Sequence, residues 1–238
     1  MISISAHHSP RYTHLLIDAD GTLYDFDRSQ AIALERTFSQ FYLPFLPAYA
    51  GLYAQINERL WSSYEQSEIP QAGVVTSRFE QLFATLHIPQ EPVEFNRQYL
   101  KNLAACNELL PGARQAVATL HGKVRMAILT NGLAQVQRAR LTNSPISQYF
   151  DDLIISEEIG AAKPDPAVFE IAYQRLGKPP KEQLLMVGDS LTADIYGANQ
   201  FGISSCWYNP FGAARIFGIH VDHEIRTLDE LIMIVFSI

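Results

Sequence analysis

Two aspartates separated by one alanine, Asp18 and Asp20, close an apolar run of Leu15, Leu16 and Ile17. Side chains alternate along a strand, so the two carboxylates start on the same face. Like charges placed together at a strand end need a shared proton, a cation or solvent to be retained. A hard divalent ion such as Mg²⁺ supplies that charge, because it takes one or two carboxylates together with phosphate oxygens. Gly21 lets the chain turn sharply behind the pair and brings backbone N–H groups near whatever the acids face. The competing reading of an isolated Asp-x-Asp-Gly is a capped turn, since Asp-Gly is a common turn signal.

Three later stretches carry residues of matching chemistry: Thr130-Asn131-Gly132, Lys163-Pro164, and Gly188-Asp189-Ser190 with Asp194. They offer a hydroxyl with free N–H groups, a positive charge, and further acids. Taken singly, each has a plainer reading. Thr130 could be a strand-end residue, Lys163 a solvated loop lysine, and Asp194 an acid that charges the first turn of a helix.

The elements that must position these residues follow from periodicity. Leu15–Ile17 is an unbroken apolar run cut by a turn signal, which suits a strand buried on both faces of a parallel sheet. From Arg28 to about Leu110 the spacing turns helical. The four expected helices run through Ala31 to Phe41, Leu52 to Tyr64, Phe79 to Leu86, and Phe95 to Leu103. Pro44 and Pro47 break the first from the second, Ser67–Gly73 reads as a loop, and Thr76 or Ser77 is the expected cap of the third.

After Pro111-Gly112 helix and strand alternate. Strands are expected at Val124–Thr130, Leu153–Ser156, Leu184–Val187 and Ser204–Tyr208. Helices are expected at Ala113–Leu120, up to about Leu141, at Pro166–Leu176 behind an Asp165 cap, at Ala193–Gln200, and from Leu228 onward. The fold class is therefore α/β, a parallel-sheet core with right-handed crossovers and an inserted helical domain. The expected division is 1–24 with 109–238 for the core and 25–108 for the insert. Each candidate residue falls where a strand gives out, the end at which open α/β sheets bind ligands, and the insert is expected above that crevice.

Composition bounds the function. The chain has 238 residues, 47% hydrophobic, with 18 Lys and Arg against 25 Asp and Glu, a formal net charge of −7. That balance argues against a general nucleic-acid binder. No basic run reads as a membrane patch, and no apolar stretch is long enough to span a bilayer. Cys106 and Cys206 make no disulfide framework, so a reducing cytoplasm is expected. Met1–Thr13, including His7-His8, reads as a loose polar lead-in rather than a signal segment.

The four stretches, in this order, resemble the haloacid dehalogenase (HAD) superfamily of aspartate-nucleophile phosphohydrolases, in the subgroup with a helical cap after the first motif. The resemblance implies a Rossmann-like core and a set of roles. Asp18 would attack phosphorus to give an aspartyl-phosphate, splitting one hard hydrolysis into two steps. Asp20 would protonate the leaving oxygen and then deprotonate water. Mg²⁺ would sit on the Asp18 carboxylate, the Asp20 backbone carbonyl and Asp189. Thr130, with N–H groups near Asn131 and Gly132, would hold phosphate oxygens. Lys163 would balance negative charge and Asp194 would support the site indirectly.

A narrower similarity is to pyrimidine 5′-nucleotidases of the YjjG type. It rests on Asp18-Ala19-Asp20, Leu60-Trp61-Ser62-Ser63-Tyr64, Arg78-Phe79-Glu80, Ile155–Gly160 and Cys206-Trp207-Tyr208-Asn209. It implies a nucleoside monophosphate as the small-molecule partner, acted on by a monomer or homodimer. Trp61, Tyr64, Phe79 or Tyr24 could stack on a base and Arg78 could bind a carbonyl or phosphate; alternatively Trp61 and Phe79 pack the insert's core. Three other readings stay open. A broad phosphatase of sugar phosphates or phosphoglycolate, or a sugar-phosphate mutase, would use the same core. A dehalogenase has no call for Asp20. A silent binding module would be expected to have lost an acid, and none is missing.

Overall fold

The computed structural model describes residues 9–237; His7 and His8 lie outside them. In chain order the elements are strand β1 (His14–Ile17), helices α1 (Phe26–Gln40), α2 (Pro47–Glu65), α3 (Gln71–Leu86), α4 (Pro92–Ala104) and α5 (Ala113–Leu120), and strand β2 (Arg125–Thr130). There follow α6 (Ala134–Thr142), β3 (Asp152–Ile155), α7 (Ser156–Ile159), α8 (Pro166–Arg175) and β4 (Leu184–Gly188). The chain closes with α9 (Tyr196–Phe201), β5 (Ser204–Tyr208), β6 (His223–Ile225) and α10 (Glu230–Phe236). It divides into two compact units. One holds the described residues up to Tyr24, Leu109–Ala134 and those from Ser144 onward; the other holds Asp25–Glu108 and Gln135–Asn143.

The first unit is built on one six-stranded sheet in the order β3-β2-β1-β4-β5-β6, with every pairing parallel. β1 is central, which is why its residues are unbroken apolar ones: Leu15 and Leu16 are wholly buried. Ile17 pairs with Ile128 of β2 on one side and Val187 of β4 on the other. The order runs outward from β1 to β3 and then restarts at β4, so β1 and β4 flank the switch point, and Asp18 and Asp189 follow them directly. One face of the sheet packs Leu16, Leu129 and Met186 against Val168, Phe169 and Ala172 of α8 and Ala198 of α9. Asp165 caps α8 by accepting from the Ala167 N–H at 2.8 Å, and Pro166 fills the first turn, where its missing N–H costs nothing.

The second unit, taken by itself, is helical. Asp25 caps α1 through the Arg28 N–H (3.0 Å), and prolines open α2 and α4. Its core is aromatic: Phe38, Phe79, Phe83 and Phe95 pack edge-on or tilted, with Phe79 and Phe95 centroids 4.9 Å apart. The division read from the sequence leaves 135–143 with the core, whereas these residues group with the helices. There the Asn107 amide donates to the Asn143 carbonyl at 2.8 Å.

Three boundaries differ from the sequence reading, and one strand is absent from it. α3 begins at Gln71, not after Gly73. Pro70 supplies the break, and Thr76 lies inside the helix with its hydroxyl donating back to the Ala72 carbonyl at 3.0 Å. Ser156 starts α7 instead of ending β3. The helix expected at 193–200 is a π turn over Leu191–Ile195 followed by α9. β6 was hidden because its three residues include a histidine and a glutamate and show no apolar alternation.

Candidate active site

At the carboxyl end of β1 the chain makes a compact turn. Leu23 and Tyr24 both donate their N–H to the Ala19 carbonyl (2.9 Å each), and Gly21 donates to the Tyr24 carbonyl (3.0 Å). Asp18 stays in the sheet through its N–H to Val187 (2.9 Å) and is 7% exposed; Asp20, in the turn, is half-buried. Gly21 has φ +85°, and a Cβ there would fall on the Asp189 carboxylate. Glycine is thus required both for the turn and for the approach of the acid.

Lys163, 2% exposed, joins the pieces. Its ammonium donates to Asp18 Oδ1 (2.5 Å), Asp194 Oδ1 (2.7 Å) and the Leu129 carbonyl (2.9 Å). An ammonium has three donors, and all three are used. Asp194 is fully enclosed and accepts from the Ser190 N–H at 3.0 Å through Oδ2. The π turn delivers it there, and the Ser190 hydroxyl caps the turn by accepting from the Ala193 N–H (3.0 Å). The Asp194 carboxyl packs so tightly on Gly188 that any Cβ at 188 would overlap it.

Asp189 accepts from the Thr22 hydroxyl at 3.1 Å, and its carbonyl accepts from the Trp207 indole at 2.9 Å. Thr130 ends β2, 2% exposed, with Gly132 donating its N–H to the Thr130 hydroxyl at 3.0 Å. The Asn131 amide is turned to the Lys163 backbone: Nδ2 donates to its carbonyl and Oδ1 accepts from its N–H, both at 2.9 Å. Thr22 closes the acidic turn and Trp207 lies in the Cys206–Asn209 stretch that carries the narrower similarity; the sequence reading gives neither residue a role of its own.

The electrostatics follow from burial. Burial raises the Asp18 carboxyl well above the usual range; the Lys163 ammonium opposes this, and Asp194 and Asp189 add to it. Desolvation against Gly21 and its neighbours, with repulsion from Asp194, pushes Asp189 up to about 7, although the residue as a whole is exposed; Thr22 and Lys163 pull the other way. Burial works against the Lys163 charge, but Asp18 and Asp194 more than offset it and hold the ammonium firmly protonated. One oxygen from each of Asp18, Asp189 and Asp194 lies within 4.8 Å of the others. Three carboxylates against one ammonium leave an excess of two negative charges when all are ionised. Hard oxygen donors with that excess fit a hard divalent cation such as Mg²⁺.

Four residues named from sequence, Trp61, Tyr64, Arg78 and Phe79, belong to the helical unit. Arg78 is 2% exposed and donates through Nε and Nη2 to Asn96 Oδ1 (2.9 and 2.6 Å), with its guanidinium over the Tyr99 ring at 5.1 Å. The structure gives it a packing role where the sequence suggests a substrate contact; its neighbour Phe79 is wholly buried too. Trp61 is half-buried, edge-on to Tyr64 at 5.6 Å.

Comparison with known proteins gives the family. The profile of haloacid dehalogenase-like hydrolases matches residues 12–202, and the chain belongs to that family. Pyrimidine 5′-nucleotidase YjjG of Escherichia coli is 32% identical over 93% of this chain and 96% of its own length. Pyrimidine 5′-nucleotidase PynA of Streptococcus pneumoniae is 34% identical over 93% and 94%. The crystal structure of the HAD-hydrolase YfnB of Bacillus subtilis, bound to magnesium, superposes with a TM-score of 0.90 at 32% identity, covering 94% of this chain and 99% of that one. Among the described residues no helix is long and apolar enough to cross a membrane.

Proposed function

We propose that this chain is a Mg²⁺-dependent phosphomonoester hydrolase of pyrimidine nucleoside 5′-monophosphates, working through an aspartyl-phosphate on Asp18. The observation that carries the reading is the centre itself: a buried aspartate at the central strand's end, tied by one ammonium to a second acid and flanked by a third. The two nucleotidase relatives favour the substrate class.

Asp18 Oδ2 attacks phosphorus while Lys163 holds Oδ1; the P–O ester bond breaks and Asp20 hands its proton to the departing nucleoside oxygen. Water then attacks the phosphorus of the acyl phosphate, Asp20 takes its proton, and Asp18 is freed. The Thr130 hydroxyl, its oxygen held by the Gly132 N–H, donates to a phosphoryl oxygen. The Asp18 and Asp189 carboxylates and the Asp20 carbonyl would hold Mg²⁺, which when bound offsets the repulsion between nucleophile and substrate. Asp194 acts through Lys163 and through the Ser190 N–H. Asp20 weighs against a dehalogenase, whose first step expels a halide ion, a leaving group that needs no proton.

The test is a panel of UMP, dUMP, dTMP, purine monophosphates, sugar phosphates and phosphoglycolate, assayed with Mg²⁺ and with EDTA. Phosphate release is expected with Mg²⁺ only, and highest kcat/KM on the pyrimidine nucleotides. Preference for a sugar phosphate or phosphoglycolate would overturn the substrate; full turnover in EDTA would overturn the metal.

A further inference from the structure

We propose that the Asn131 side chain is a positioning residue, a two-point clamp on the Lys163 peptide that sets where the Lys163 ammonium points. The inference rests on the reading of Lys163 as the charge partner of Asp18. Lys163 lies in a stretch between α7 and α8 that belongs to no strand, and the residue after it, Pro164, has no N–H. The N–H and C=O of Lys163 are buried and so must find partners outside any ladder. Asn131 supplies both at once, accepting from the N–H and donating to the carbonyl at 2.9 Å each.

The primary amide is the side chain suited to this. It carries a donor and an acceptor on one short stem; aspartate only accepts, serine is too short to bridge, and glutamine is one carbon too long. The end of β2 therefore grips Lys163 at both ends. Asn131 holds its backbone, and the carbonyl of Leu129, two residues earlier, takes its ammonium at 2.9 Å. A lysine stem has four freely rotating carbons, and fixing where it starts narrows where its charge can go. The Asn131 amide is then engaged with the Lys163 backbone.

The test combines labelling with a double-mutant cycle, on the full chain. Lys163 is acylated with acetic anhydride and read by peptide mass spectrometry in the wild type and in Asn131→Ala. Labelling is expected to rise about tenfold, the ratio that one net buried hydrogen bond is worth. Unchanged labelling in a variant whose circular dichroism is native would overturn the clamp. If Asn131→Ala fails to fold, Asn131→Asp keeps the size and the acceptor but loses the donor, and the same rise is expected.

On UMP, or on whichever phosphomonoester the panel ranks highest, Asn131→Ala is expected to lower kcat/KM about 10- to 100-fold. In a Lys163→Ala background the further loss should stay within about twofold, because both changes act through one group. Multiplying losses would overturn the inference and make Asn131 a direct substrate contact. A Lys163→Ala variant of undiminished activity would instead overturn the role of Lys163 in the reaction, while the labelling result still decides the clamp.

Discussion

Replacing Lys163 by methionine tests the charge arrangement most sharply. The change keeps the stem's volume and removes the ammonium that serves Asp18, Asp194 and the Leu129 carbonyl. All of this is buried: the lysine side chain is 2% exposed, Asp18 10% and Asp194 1%. Removing one partner of a buried pair costs about 3–5 kcal/mol, because the other charge stays uncompensated. For a chain of this length that is a fall in Tm of roughly 6–20 °C.

The pH dependence gives the sign. Without the ammonium the folded-state pKa of Asp18, already raised by burial, goes higher still. A carboxylate whose folded pKa exceeds its unfolded value contributes most below the unfolded pKa, near 3.9, and loses that contribution as pH rises through the folded value. The variant should therefore lose more stability at pH 8 than at pH 5. Urea unfolding in EDTA at both values, followed by circular dichroism, measures it. A loss under about 1 kcal/mol at pH 8, or an equal loss at both, would refute the idea that Lys163 neutralises a buried charge.

Asp18→Asn should leave the fold intact and cut turnover by a factor on the order of 10⁴ or more, since the covalent route is gone; circular dichroism and a phosphate-release assay check both halves. Mg²⁺ affinity, followed by isothermal titration, should rise with pH through about 7, with proton release, because Asp189 must give up a proton held to about that value. Gly188→Ala should destabilise by about 1–3 kcal/mol and lower activity, since its methyl would occupy the space of the Asp194 carboxyl. Arg78→Lys should lower Tm, through loss of the fork on Asn96, while KM stays within about twofold.

The core of this fold is legible from local pattern. Leu15–Ile17 reads as a two-sided strand from its unbroken apolar run, and Asp18 marks the end of what is the central strand of the sheet. The order of the later strand ends placed Thr130 and Asp189 beside it, because parallel α/β sheets gather their carboxyl ends. Other features needed the third dimension. The π turn at Leu191–Ile195 carries no periodicity of its own, and it places Asp194 against Gly188 and Lys163. The Asn131 amide and the Trp207 indole act on residues 32 and 18 positions away, a pairing no periodicity encodes. An arginine next to aromatics in a helix suits a substrate site and an aromatic core equally; the burial of Arg78 and its bonds to Asn96 favour the second.

The central claim is that Asp18 itself carries the phosphoryl group between substrate and water. It is met most directly by rapid acid quench of the wild-type enzyme during turnover of UMP with Mg²⁺, followed by borohydride reduction and peptide sequencing by mass spectrometry. The account predicts homoserine at position 18, the reduction product of an aspartyl-phosphate, and none in Asp18→Asn. Phosphate formed in the same turnover with Asp18 unmodified, or the reduced residue found at Asp20 or Asp189, would contradict it.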